Sequence, residues 1–239
     1  MPEVPDTPLS YPVVLDLRGR LVVVIGPGEA ARRKARTFLR TGADVAVITP
    51  DPPLELIEAE ADGLLTLERR PYVRGDLEGA LLAVCVSDSP EVSGAVADEA
   101  ITRGCLVHVK GAPELSTYSV PSVLRRGALQ IAVSTGGAAP AVAKRVRARL
   151  AEEFGEEWAE YVWLLQEVRY YAEERESGSG SALVDRIADS DVIERLRSGE
   201  RFEVAALYAM FAEDSVAPVE PDAPVEPDAP IEPDAEVDH

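Results

Sequence analysis

Two stretches of the chain space glycines, hydroxyls and bare amides as an anion would require. In VVVIGPGEAARRKA, Gly26 and Gly28 stand between an apolar run and a helix-forming run, with Ala31 three residues on. This G-x-G-x-x-A spacing permits a tight turn, a close approach for pyrophosphate, and a helix start whose free amides face the anion. Dinucleotide binding is the reading the context favours; a purely structural glycine turn is the alternative. In VSTGGAAPAVAKRVR, Ser134, Thr135, Gly136 and Gly137 repeat that logic ahead of a basic helix, where Lys144 follows. They offer a seat for a carboxylate-bearing ligand, or else a plain loop capped by Thr135.

A third stretch, VHVKGAPELSTY, holds His108 and Lys110 at the end of an apolar run. His108 offers an imidazole for proton transfer, although on an alternating strand it is equally a packed core residue. Asp51, after the run DVAVITP, is placed to accept ribose hydroxyls, which favours NAD over NADP; DPP is also ordinary turn chemistry. Neither cysteine, Cys85 or Cys105, belongs to a C-x-x-C pair, so inert buried thiols are expected, with no metal site.

Charge separates the segments further. The 239 residues carry a net charge of -19, which excludes a nucleic-acid backbone as partner. From Leu115 to Ala151 there is no Asp or Glu, yet the window holds Arg125, Arg126, Lys144, Arg145, Arg147 and Arg149. An anionic partner and a subunit interface both account for it. Residues 213–239 hold ten acids and no Lys or Arg, and from Ala217 they repeat A-P-[VI]-E-P-D. Proline every third residue favours extended polyproline-like backbone and mutual repulsion prevents a packed core, so residues 214–239 are expected to form a solvated tail.

The elements that position these residues follow from periodicity. Near-continuous apolar strands at 20–26, 44–50, 64–70, 80–88 and 105–111 alternate with helices at 29–42 and 91–104. That is the pattern of a parallel sheet covered on both faces. Two short strands around the turn RRG and a helix over 139–154 come next, then helical sequence broken at SGSGS. The expected architecture is α/β: a Rossmann-like parallel-sheet domain over 1–113, a small strand-and-helix dimerisation and substrate-binding segment over 114–150, and an α-helical region over 151–213. No apolar run reaches the roughly 18 residues a bilayer requires, and the N-terminus has no signal pattern, so a cytoplasmic protein is expected.

Taken in order, YPVVLDLRGRLVVVIGPGEAARRKARTFLRTGADVAVITPD, VSD, APELSTYSVPSVLRRGALQIAVSTGGAAPAVAKRVRARL and the helical end resemble the precorrin-2 dehydrogenases, the N-terminal module of siroheme synthases. The resemblance implies NAD-dependent oxidation of precorrin-2 to sirohydrochlorin by a homodimer, sometimes joined to ferrochelatase activity. It puts Glu29, Ala30, Pro50 and Asp51, with Ser87 of VSD, on dinucleotide-contacting positions. The eight carboxylates of precorrin-2 suit the acid-free basic segment, with Arg125, Arg126 and Lys144 as clamps. One departure stands out: the family usually reads N-V-V-D where this chain reads His108-Val109-Lys110-Gly111. The aspartate thought to serve proton transfer and metal insertion is Gly111. His108 and Asp88 are then the candidates for the proton, and metal insertion loses its expected ligand. A sensor or carrier that binds NAD and tetrapyrrole without turnover is the alternative.

Overall fold

A computed structural model describes residues 10–176 and 178–212. The tail expected over 214–239 lies outside the described residues.

The glycine turn follows strand β1 (Leu21–Ile25), whose run Leu-Val-Val-Val-Ile is buried on both faces. Helix α1 (Gly28–Leu39) leads to β2 (Asp44–Ile48), then α2 (Leu54–Ala61), β3 (Thr66–Glu68), β4 (Leu82–Cys85), α3 (Pro90–Arg103) and β5 (Leu106–Val109). All pairings are parallel, in the order β3-β2-β1-β4-β5. Strand order reverses between β1 and β4, so their carboxyl ends open the crevice where such sheets bind ligands. Helix α2 is an element that periodicity did not reveal. Its apolar positions in LELIEAEA are few, and the prolines before it read as turn; Pro53 in fact supplies the extended residue before the first helical turn.

Two apolar layers hold the sheet. On one face Val22, Val24, Leu82 and Val84 pack with Ala31 and Ala35 of α1 and Leu56 of α2. On the other, Val23, Ile25, Ala83, Cys85, Val107 and Val109 pack with Val96, Ala97 and Ala100 of α3. Alanines on both helices let backbone approach sheet closely, which the branched strands require for dense packing. The crossover between β3 and β4 is anchored by Glu99, only 1% exposed. Its carboxylate accepts from the Tyr72 hydroxyl, the Gly75 and Leu77 amides and Arg103. Burial alone would raise this carboxyl, but those bonds outweigh it and hold it below its ordinary value.

A 3-10 turn (Pro113–Leu115) leads to the antiparallel-capable ribbon β6 (Ser122–Arg126) and β7 (Leu129–Val133), followed by α4 (Pro140–Glu153). The turn falls on Gly127 and Ala128, so Arg125 and Arg126 are strand residues and not turn residues as RRG implied. Helices α5 (Glu157–Glu173), α6 (Gly180–Ala188), α7 (Val192–Arg197) and α8 (Val204–Ala212) complete the chain. Compactness divides it in two: a sheet unit that includes Ile131–Glu152, and a helical unit from Glu153 onward that includes Arg125–Gln130. The helical unit has its own core of Tyr161, Leu164, Val168, Ala172, Leu183, Ile187, Leu196 and Leu207.

Candidate functional site

Gly26 ends β1 with φ +128°, a conformation L side chains rarely adopt. A Cβ there would lie 2.8 Å from the Ser87 amide nitrogen and 2.9 Å from the Val86 carbonyl carbon. The glycine therefore lets the β1 and β4 ends close on each other at the switch point. Helix α1 begins immediately after, and Pro27 before it provides no side-chain cap. Its first amides are consequently free for an anion. Ala31 is fully buried under the helix, Ala30 is partly buried and Gly28 leads the first turn. Glu29 is tied to Arg32 by two hydrogen bonds of 2.6 Å, which hold its carboxyl below the ordinary value.

Pro50 and Asp51 are exposed just past β2, and the Asp51 amide leans on the Thr49 hydroxyl at 3.4 Å. Thr49 itself is fully buried. Past β4, the Ser87 hydroxyl accepts from the Ser89 amide at 3.1 Å, and Ser89 in turn caps α3. These residues share the carboxyl edge of the sheet. The bare α1 terminus and the side-chain-free turn fit a dinucleotide pyrophosphate, and Asp51 has the acceptors a ribose requires.

The second group lies at β5. Gly111 follows the strand with φ +78°, and a Cβ built on it would meet nothing within 4 Å. Asp88 is exposed and pairs with Lys110 at 3.2 Å, so among the described residues it makes no bond to His108. His108 lies on the sheet face covered by α1, between Leu106 and Lys110. Its Nδ1 is buried without a hydrogen-bond partner, as is the Tyr118 hydroxyl. The two rings stand 5.6 Å apart. Burial, reinforced by the Lys34 charge, lowers the His108 pKa and keeps the imidazole neutral; burial and Arg33 lower that of Lys34. Lys34 had no signal in the sequence, since it meets His108 only through the fold, whereas Tyr118 returns to it through the loop after β5, where Ser116 and Thr117 bond the Val109 and Val107 amides.

The basic segment divides. Arg125 is exposed and forms no ion pair among the described residues, whereas Arg126 is 16% exposed, donates to the Phe154 carbonyl at 3.0 Å and pairs with Glu156 at 3.2 Å. Thr135 accepts from the Ala139 amide at 3.1 Å and Ser134 from the Gly136 amide at 3.2 Å, which organises the turn through Gly136 and Gly137 into α4. Lys144 is exposed on α4.

A family model described as putative NAD(P)-binding matches residues 13–122, and one described as sirohaem biosynthesis protein central matches residues 126–153. The siroheme synthase of Methylobacillus flagellatus is 38% identical over 141 residues, 59% of this chain and 30% of that protein. Siroheme synthase 1 of Halorhodospira halophila is 41% identical over 142 residues, 59% and 29% respectively. The chain thus spans about a third of the length of these synthases. The precorrin-2 dehydrogenase of Priestia megaterium is 33% identical over 159 residues, covering 66% of this chain and 78% of that enzyme. The solved structure of SirC, a precorrin-2 dehydrogenase, superposes with a TM-score of 0.72 at 26% identity, over 85% of this chain and all of SirC. With most of a dehydrogenase's length matched, and the same fold beneath it, the chain belongs to the precorrin-2 dehydrogenase family.

Proposed function

We propose that this chain oxidises precorrin-2 to sirohydrochlorin, with NAD as the hydride acceptor. The observation that carries the reading is the switch point itself, where Gly26 packs against Ser87 and the α1 amides are left free. Bound there, NAD would supply the hydride acceptor, and the proton lost with the hydride would pass to a protein group or to water. Gly28, Glu29 and Ala30 line the pyrophosphate approach, with the fully buried Ala31 seating α1 on the sheet beneath it, Pro50 and Asp51 the ribose, and Ser87 the β4 end. Position 111 supplies no carboxylate, and Asp88 is engaged by Lys110. The neutral His108, with Nδ1 unpartnered, is the base this reading assigns; burial and the Lys34 charge favour its neutral form, and the Tyr118 ring packs 5.6 Å away. Among the described residues neither Arg125 nor Lys144 has a carboxylate partner, and each is assigned to the substrate carboxylates; Ser134 to Gly137 shape the turn that leads into α4.

The ribbon of β6 and β7 has no third strand among the described residues, and a two-stranded ribbon is marginal alone in water. That open ribbon edge, available to a second copy, supports the homodimer reading. No helix among the described residues is long and apolar enough to cross a membrane. With two buried free cysteines, this supports a cytoplasmic enzyme. Ferrochelatase activity is expected to be weak, because Gly111 removes the expected metal ligand. Gly111 also favours a second reading, a sensor or carrier that binds NAD and tetrapyrrole without turning over.

Anaerobic incubation with precorrin-2 and NAD separates the two, with NADH and sirohydrochlorin followed together and Gly111→Asp run alongside. Stoichiometric NADH from the wild type establishes the dehydrogenase. Activity confined to the variant establishes the binder. The open space at position 111 accommodates the aspartate, and its positive φ costs about 1 kcal/mol.

A further inference from the structure

Lys34, His108 and Tyr118 stand on the sheet face covered by α1, and the group supplies donors without an acceptor to match. Lys34 is partly buried, yet among the described residues it forms no ion pair and no side-chain hydrogen bond, in a chain that holds 43 acidic residues to 24 basic ones. The charge that acts on it is that of Arg33, which has the same sign. Lys110, the next residue on that face after His108, is by contrast paired with Asp88 at 3.2 Å. A cation drawn partly out of water without a counter-charge is costly, and a bound anion relieves it.

The polar atoms beside it are orphaned as well. The Tyr118 hydroxyl and His108 Nδ1 are buried with no hydrogen-bond partner, and the two rings stand 5.6 Å apart at 45°. Tyr118 is held in place because Ser116 and Thr117 bond the Val109 and Val107 amides and tie the returning loop along β5, the edge strand. Burial pushes its phenol up, so the hydroxyl keeps its proton and can donate it. The remaining titratable neighbour, Cys105, is a neutral thiol that burial pushes up to about 11. An ammonium and a phenol hydroxyl are satisfied together by one acceptor with two oxygens and a negative charge, which describes a carboxylate.

We infer that Lys34 and the Tyr118 hydroxyl form a subsite for a carboxylate, carried by the tetrapyrrole substrate and seated beside His108. The identity of the carrier rests on the proposed function; the subsite rests on the unpaired cation and the orphaned hydroxyl. Its consequence is a coupling. In the free protein the Lys34 charge opposes protonation of His108. A carboxylate on Lys34 cancels that opposition, so the imidazole becomes a stronger base when the substrate arrives. By linkage, a protonated His108 tightens the carboxylate by the same factor.

The chain has two histidines, His108 and His239, so imidazole NMR titration of the full chain over about pH 5 to 8 reads the coupling directly, with His108→Gln assigning the resonance. Sodium propionate is the probe, exchanged against sodium chloride at constant ionic strength, with propionamide as the uncharged control. Propionate should raise the His108 midpoint saturably, by about one pH unit, and propionamide should leave it unmoved. Lys34→Met removes a partly buried unpaired charge, which does not endanger the fold. It should raise the midpoint of the free protein and abolish the response to propionate. Tyr118→Phe keeps the ring and should weaken propionate several-fold. No response to propionate, or an equal one in Lys34→Met, overturns the subsite; an unchanged propionate affinity in Tyr118→Phe overturns the part given to the hydroxyl. Sirohydrochlorin, which keeps the carboxylates of precorrin-2, should move the midpoint in the same direction and leave propionate without further effect. A response to propionate with none to sirohydrochlorin overturns the tetrapyrrole as carrier, while the subsite stands. No arm requires turnover, so a chain that fails to oxidise precorrin-2 loses the proposed function and not the subsite.

Discussion

His108 is the residue on which the proposed chemistry turns, because the position usually acidic in this family is a glycine. A base must be unprotonated, and burial together with the Lys34 charge lowers the imidazole's pKa and so favours the neutral form. The acidic limb of kcat/KM for precorrin-2 should therefore have its midpoint below 6.5, the ordinary histidine value. His108→Gln should lower kcat by about 100-fold or more and remove the acidic limb. A residue that merely packs would lose Tm and leave that limb in place. The same lowered pKa has a stability consequence of fixed sign. The unfolded chain binds the proton more readily, so this group's contribution is complete above pH 6.5 and is lost as pH falls toward the folded value. His108→Gln should flatten Tm over that range. None of this was visible in VHVKG: the sequence offered an imidazole, but Lys34 lies 74 positions earlier, on α1, and its effect depends on the fold placing both on one face of the sheet.

The elements that hold the dinucleotide turn were legible because their signals are local. Continuous Val and Ile in β1, the alanines of α1 and the glycines between them define a strand, a turn and a helix without reference to anything distant. Gly26 and Gly28 nevertheless differ in a way only packing reveals. A Cβ at Gly26 collides with the β4 end, whereas one at Gly28 meets nothing within 4 Å. Gly26→Ala should cost about 3 kcal/mol and abolish saturable NAD binding, while Gly28→Ala should cost about 1 kcal/mol. Equal losses in thermal melts would show that the close approach of β1 and β4 is not what Gly26 provides. Position in an element likewise separates the adjacent arginines, which looked alike in LRRGAL. Arg126 is committed to Phe154 and Glu156, partners some thirty residues later that spacing cannot anticipate. Arg126→Ala should lower Tm with little change in kcat. Arg125→Ala should raise the precorrin-2 KM at low salt and leave Tm and NAD affinity unchanged.

At the scale of the whole molecule, charge acts on the proposed substrate in two opposed ways. A chain of net charge -19 repels an octacarboxylate at long range, while Arg125 and the α4 cations attract it at short range. Salt distinguishes the two because the screening length falls from about 30 Å at 0.01 M to about 10 Å at 0.1 M. Repulsion from the whole body is screened first, and contacts of a few ångström persist until the salt is much higher. The kcat/KM for precorrin-2 should therefore rise from about 10 mM salt, pass through a maximum near the concentration where the screening length drops below the molecular radius, and fall beyond it. NAD, with far less charge, should vary little over the same range. Residues 213–239 contribute ten of the acids, and without their charge the net is -9. Neutralising them should shift the maximum to lower salt by weakening the long-range repulsion. A steady fall from the lowest salt in the wild type would mean that the local cations outweigh the body's charge at every distance, leaving the tail no part in substrate approach.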